Sequence, residues 1–257
     1  MNYTPFLILA VFLAVALYFI FRKKKINPII LSKADIKLLE TNVEFYGNLN
    51  KENRNRFEQK VAKFLAVVII KGVGFEVTAL DKLLVASSAV IPIFGFDNWE
   101  YKNLQNVLLY PDTFNSDFQY EGDERNIMGM VGTGYLNGQM VLSQSALHHG
   151  FSSSAGKGNT GIHEFVHLLD KSDGATDGVP ENFLKHEYAE PWIKMMHEEM
   201  ERIAENKSDI NPYALTNQAE FLAVTAEYFF EKPELLKEKH PAIYNKLSKI
   251  FGQDLAQ

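Results

Sequence analysis

Gly161-Ile162-His163-Glu164-Phe165-Val166-His167-Leu168-Leu169-Asp170 is the stretch around which the rest of the 257-residue chain falls into place. Two histidines four apart on a helix lie on one face, one turn apart, so both imidazoles can reach one metal ion. Glu164, beside the first histidine, falls near the open coordination position, where it can take a proton from water. Ile162, Phe165, Val166, Leu168 and Leu169 are apolar, which embeds the motif in a buried helix where two His and a Glu need partners. Asn159 or Thr160 is placed to cap the helix start, and Gly150 to Thr160 before it reads as a flexible loop. Asp170 follows His167 at i+3 and could orient an imidazole or cap the next turn.

Two histidines leave a catalytic zinc site one protein ligand short. Three continuations stay open on the residues alone. Asp173 has metzincin spacing, but Asp170 stands where the tight turn needs Gly. Glu187 follows His167 by the thermolysin-like interval, but Pro191 stands where a companion acid belongs. The third is a glutamate on a more distant helix, Asn217 to Phe230, whose residues are mostly apolar. Its Glu220 and Glu227 lie seven apart, on one face, and acids there are costly unless paired or metal-bound. Tyr213 lies seven residues before Glu220, just ahead of that helix.

Composition narrows the chemistry. Hydrophobic residues are 46% and charged residues 23%, ordinary for a folded chain with a sizeable core. The 26 basic residues against 32 acidic ones give a net charge of -6, which argues against a nucleic-acid partner. Cys is 0, so thiol nucleophiles, disulfides and Cys-ligated metals are excluded, and a metal must be held by His, Asp or Glu. His148 and His149 precede the loop. His186, His197 and His240 lie in charged surroundings and read as surface residues, as Glu198-Glu199-Met200-Glu201 reads as a solvated helix face.

At the N-terminus, Phe6 to Phe21 carries no charge and spans about 24 Å as a helix, and Arg22-Lys23-Lys24-Lys25 follows it. A cleaved signal peptide has its positive charge before the apolar run, whereas here it comes after. The expectation is a transmembrane helix within residues 1–25, single-pass in the inner (cytoplasmic) membrane, with the remainder in the cytoplasm. Residues 26–55 read as a linker and helical lead-in, and residues 56–257 as the main domain. Val61 to Val73 is either a helix running into a strand or a buried strand. Leu80 to Val90 is spaced as a helix and Leu104 to Tyr110 as a strand. Met128 to Leu142 reads as a hairpin with Gln139 to Ser143 as its second arm. Strands first and helices after give an α+β fold with a small mixed sheet and a helical C-terminal half.

The motif His163-Glu-Phe-Val-His167-Leu-Leu-Asp170 does not stand alone. Asp173-Gly174, Asp177-Gly178-x-Pro180, Tyr213 and Ala219-Glu220-Phe221-x-Ala223-Val224-x-x-Glu227-Tyr228-Phe229-Phe230 accompany it, with Tyr110-Pro111-x-x-Phe114 and Gly138-x-x-x-Leu142-Ser143 upstream. Over residues 55 to 251 the chain thereby resembles the Mlc titration factor A family. These are bacterial zinc peptidases of zincin-like fold whose site is similar to that of the anthrax lethal factor catalytic domain. The resemblance implies one zinc ion held by His163, His167 and Glu220, with Glu164 as general base and Tyr213 stabilising the oxyanion. It implies a peptide or protein substrate, endo- or aminopeptidase, and a substrate backbone paired with the Gln139–Ser143 strand. It also implies a rival role, sequestering a transcriptional repressor or other protein partner with peptidase activity minor. The N-terminal segment, a departure from the family's soluble enterobacterial member, would make that a membrane-tethered binding module. A structural zinc site is disfavoured, because an acid placed as a base and an open ligand position have no use there.

Overall fold

The computed structural model describes residue 12 and residues 29–122, 125–132, 137–184 and 189–256. Apart from Phe12, the expected transmembrane segment lies outside the described residues. Among the described residues no helix is long and apolar enough to cross a membrane.

Helix α1 (Lys33–Asn42) begins at Ser32 with a reciprocal capping box to Asp35, and a short α2 (Glu44–Gly47) follows. Helix α3 (Lys51–Val67) starts at Asn50, whose side chain accepts from the Asn53 N–H, and buries Phe57, Val61 and Phe64 along one face. It runs through the boundary drawn at 55/56. Leu39, Val43 and Tyr46 from the lead-in share one core with Phe57 and Phe94. Strand β1 (Ile69–Gly72) follows directly, so Val61 to Val73 is a helix running into a strand. Helix α4 (Ala79–Ile93) opens with a Thr78–Asp81 capping box and is buried nearly all round, because it is the central helix on which the others pack.

Strands β2 (Asn106–Tyr110), β3 (Gly129–Val131) and β4 (Gln139–Ser143) complete one sheet of order β1-β2-β4-β3 among the described residues. β1, β2 and β4 are parallel, and β3 is antiparallel to β4 with Gly129 opposite Leu142. The expected hairpin and mixed sheet are present. One expectation needs correction. β4 bonds β2 on one side and β3 on the other, so Gln139–Ser143 has no free edge to offer a substrate. Among the described residues the edge strands are β1 and β3, and β3 is the one that lies against the helix carrying the histidines.

The second half is helical: α5 (Gln144–Gly150), α6 (Thr160–Asp170), α7 (Ala189–Ala204), α8 (Gln218–Glu231), α9 (Pro233–Lys239) and α10 (Pro241–Phe251). Phe165, Phe221, Phe229 and Phe251 are fully buried, each contributing about 1.5–3 kcal/mol of burial. That packing holds α6 rigidly between α4 and α8. Gly161 permits the closest approach, since a Cβ there would lie 2.2 Å from Ser88 Oγ on α4. The Gly150 to Thr160 loop is not free along its whole length. Lys157 Nζ sits 2.6 Å from Asp209 Oδ2, and Asn159 is buried.

His240 and Glu199 are likewise not surface residues. Both are buried, with His240 Nδ1 3.1 Å from Glu199 Oε1 and Nε2 2.7 Å from Asp209 Oδ1. A histidine between two acids reads as hydrophilic in sequence, but mutual pairing lets His240 and Glu199 leave water while Asp209 stays half-buried. His197 keeps its expected place, bonding Gln218 at the surface. His186 lies outside the described residues.

Candidate metal centre

Helix α6 carries the centre. Asn159 caps it, its side chain accepting from the Ile162 N–H. Ile162, Phe165, Val166 and Leu169 bury the far side, and Phe165 packs its ring 5.7 Å from Phe64 and 5.1 Å from Tyr101. His163 and His167 therefore project from a helix that cannot rotate without breaking this core. Helix α8 approaches from the other side, capped by Asn217, whose side chain accepts from the Glu220 N–H. A carboxylate in a first turn gains from the helix dipole, and the cap fixes where it starts.

One donor atom from each of His163, His167 and Glu220 lies within 4.8 Å of the others. His163 Nε2 is 2.9 Å from Glu220 Oε2 and 3.1 Å from His167 Nε2, and His167 Nε2 is 3.4 Å from Glu220 Oε2. Ligand bonds of about 2.0–2.2 Å in a tetrahedral arrangement separate donors by roughly 3.3 Å, so the spacing fits a small divalent cation. The second nitrogen of His163 supports the same conclusion. Nδ1 meets Glu227 Oε1 at 2.7 Å and donates to it, so Nε2 faces the cluster, where a bound cation would take the place of a proton. Three candidate ligand atoms then converge, and such a set calls for a cation.

Electrostatics agree. Burial disfavours the charged ring of His163, yet hydrogen bonds to Glu220 and Glu227 prevail and raise its pKa to about 10. Burial works against Glu220 as well, while His163 and His167 draw its pKa down to about 2. The pocket therefore keeps a carboxylate and a strong appetite for positive charge.

Glu164 is buried, and burial raises its pKa, opposed by the two histidines. Its carboxyl lies against the sheet edge. A Cβ added at Gly129 of β3 would fall 2.6–2.8 Å from Glu164 Cγ, Oε1 and Cδ. The glycine is what lets an acid and an open strand edge share this place. Tyr213 stands on the turn Pro212–Leu215, its ring 6.1 Å from that of His163 and 54% exposed. Burial and the nearby Glu220, Glu164 and Glu227 raise its pKa, so the phenol stays protonated and able to donate.

The other candidates separate cleanly. Asp170 accepts from the Gly178 N–H, bracing the turn after α6, and burial pushes its pKa up to about 7. Its Oδ1 and His167 Nδ1 are buried with no hydrogen-bond partner among the described residues. Asp173 accepts from the Ala175 and Glu181 N–H groups and belongs to that same turn. His148 bonds Asp81 on α4. Glu187 lies outside the described residues. Sequence reading missed two features, the β3 edge at Gly129 and the reach of Asn159 beyond its capping role. The only signal for the second was Glu231, one helical turn beyond Glu227 on the same face.

Among relatives, an uncharacterized protein of Synechocystis sp. is 28% identical over 225 residues, covering 83% of this chain and 82% of its own. Mlc titration factor A of Escherichia coli and of Shigella flexneri are each 30% identical over 200 residues, 72% of both chains. The model of the glucose-regulated metallo-peptidase M90 family matches residues 19–252. With the donor set in place on α6 and α8 and that match spanning most of its length, the chain belongs to the glucose-regulated metallo-peptidase M90 family.

Proposed function

We propose that the chain is a zinc-dependent peptidase, with His163, His167 and Glu220 holding one zinc ion. The observation that carries this reading is the convergence of three candidate ligand atoms at 2.9–3.4 Å beside the buried Glu164. A zinc ion there would supply Lewis acidity and lower the pKa of a water at its open position toward about 7. Glu164, raised by burial toward the working range of a base, takes the proton of the attacking water and passes it to the leaving amine. Tyr213 donates to the oxyanion from the open side. The free edge of β3, beside Glu164, binds the substrate backbone as an added strand. A cavity of about 350 Å³ at the end of that strand, walled by Trp99, Tyr101, Val131 and Leu168, takes a substrate side chain.

Metal analysis and a peptide-library cleavage assay on the full chain, beside Glu164→Gln, test the reading. Both proteins should hold about one zinc, and the variant should lose about 10²–10⁴-fold in turnover. Equal cleavage by the variant would sink the mechanism.

The anchor is proposed on sequence alone, from the uncharged Phe6 to Phe21 run and the basic Arg22 to Lys25 after it. A reporter fused after Gln257 should work only as a cytoplasmic reporter; periplasmic activity would refute the topology. The name Mlc titration factor A among the relatives favours a second reading, sequestration of a transcriptional repressor at the membrane. A binder of that kind would retain its partner affinity in Glu164→Gln.

A further inference from the structure

We propose that Asn159 and Glu231 form a clamp that orients His163 through Glu227, so that the residue capping α6 also positions its imidazole. This rests on the metal-centre reading above.

Asn159 is 1% exposed and uses every polar group it has. Oδ1 accepts from the Ile162 N–H at 3.2 Å, and Nδ2 donates to the Gly150 carbonyl at 3.2 Å and to Glu231 Oε1 at 2.9 Å. Its backbone N–H donates to Glu227 Oε2 at 2.5 Å, while Glu227 Oε1 faces His163 Nδ1 at 2.7 Å. One carboxylate thus joins the cap to the ring, and the amide side chain holds the backbone N–H that aims that carboxylate.

The choice of residue is informative. As a cap alone, Asp or Ser would serve about as well as Asn, and Asp would gain further from the helix dipole. Neither can replace the two donors. Ionised Asp offers only acceptors, and Ser has one short hydroxyl. The acceptor that makes a donor necessary is Glu231, which shares α8 with Glu227. Glu231 faces Asn159 on one side, with Glu44 from α2 and Lys232 and Glu227 from its own helix as its charged neighbours. Burial pushes its pKa up to about 7, and a carboxyl retains an acceptor oxygen in either protonation state, so the clamp survives its titration.

Asn159→Asp separates the two readings. A mere cap predicts an unchanged or steadier helix. At about pH 9, where Glu231 is ionised and cannot donate, the clamp predicts acceptor facing acceptor, zinc binding weaker by about 10–100-fold in chelator competition, and kcat lowered with KM unchanged. Asn159→Asp combined with Glu231→Gln reverses the polarity of the pair, since Gln can donate to the new carboxylate, and should recover most of the zinc affinity. Glu231→Gln alone keeps an acceptor and should bind zinc much as wild type does. Should Asn159→Asp fail to fold, as read by thermal melting, Asn159→Ser keeps the cap without the donors and should still weaken zinc. Wild-type affinity in Asn159→Asp or in Asn159→Ser, or no recovery in the double variant, would overturn the clamp. The affinity series decides this even if the wild type binds zinc and cleaves no peptide, an outcome that would count against the peptidase reading alone.

Discussion

Two buried histidines among the described residues sit between two carboxylates, and one of them also belongs to the His163, His167 and Glu220 group that could hold a metal. His163 meets Glu227 at 2.7 Å and Glu220 at 2.9 Å. His240 meets Asp209 at 2.7 Å and Glu199 at 3.1 Å. The difference lies in what completes the charge. Around His240, Lys157 and Lys239 bind Asp209 at 2.6 and 2.8 Å, and Arg202 reaches Glu199 at 3.6 Å. Around His163, the described residues bring a second histidine and a third acid, the buried Glu164, but no Lys or Arg in ion-pair contact with Glu220 or Glu227. One cluster is neutralised by the chain itself and serves as a structural knot. The other has no such partner among the described residues, which is what a site for an outside cation would require. A histidine flanked by acids therefore identifies a metal centre only when the chain withholds its own cations.

Removing donors tests that contrast most severely. Glu220→Ala and His167→Ala should lose zinc almost completely, whereas Glu227→Ala, which removes the group behind His163, should weaken it by about 10–100-fold. Glu187→Ala should leave zinc unchanged. Zinc content after dialysis and affinity by chelator competition rank the variants. Full zinc in Glu220→Ala with loss in Glu187→Ala would move the third ligand to the thermolysin-like position and dissolve the comparison.

The histidine spacing, the acids on an apolar helix and the helical second half were legible because each is a local pattern with a fixed period. Strands did not come first: three described helices precede β1 and a fourth separates it from β2. Glu227 stood out as a second acid on that face, but only the tertiary structure puts it behind His163. What stayed hidden depends on tertiary pairing. Gln139–Ser143 is a hydrophobic strand at the right distance from the motif, yet sheet order, not strand sequence, decides which edge is free. His240 and Glu199 look solvated until α7 and α10 bring them together, and Asn159 looks like any cap until α8 supplies its acceptor. Resemblance joined Glu220 and Tyr213 to the motif before either could be placed by physics.

The cleft side of the centre rests on lighter supports than the helix side, and two substitutions probe it. Tyr213→Phe should keep zinc and substrate binding while lowering kcat by about 10²-fold, as loss of one oxyanion donor does. Gly129→Ala should spare zinc, since no donor moves, but push Glu164 aside and lower kcat by up to about 10²-fold, the cost of a misplacement near 1 Å. Steady-state kinetics with parallel zinc analysis checks both. A Gly129→Ala enzyme of wild-type kcat would mean that the Glu164 carboxylate works from another position.

The His240 knot should give the smallest effect on chemistry and a distinct effect on stability. Burial lowers its tendency to charge, but the hydrogen bonds to Glu199 and Asp209 outweigh burial, so the folded pKa lies above the ordinary histidine value. A group with a raised folded pKa stabilises fully below its unfolded pKa, near pH 6.5, and loses that contribution as pH rises through the folded value. Asp209 has the opposite sign. Burial raises its pKa, but Lys157, Lys239 and His240 hold it well below the usual carboxylate range, so its contribution is present above about pH 4 and fades as acid protonates it. His240→Gln removes the charge and keeps a polar side chain of similar reach. With Lys157 and Lys239 still on Asp209, the cost should be about 1–3 kcal/mol, the range for a hydrogen bond lost to a charged group. Thermal melts of the zinc-loaded proteins should show the gap between wild type and variant widest near pH 5–6 and closing in alkali. Zinc content and kcat at moderate temperature should match wild type. A gap that does not change with pH would show that His240 is held neutral, and the contrast between a self-neutralised cluster and a metal-seeking one would lose its electrostatic basis.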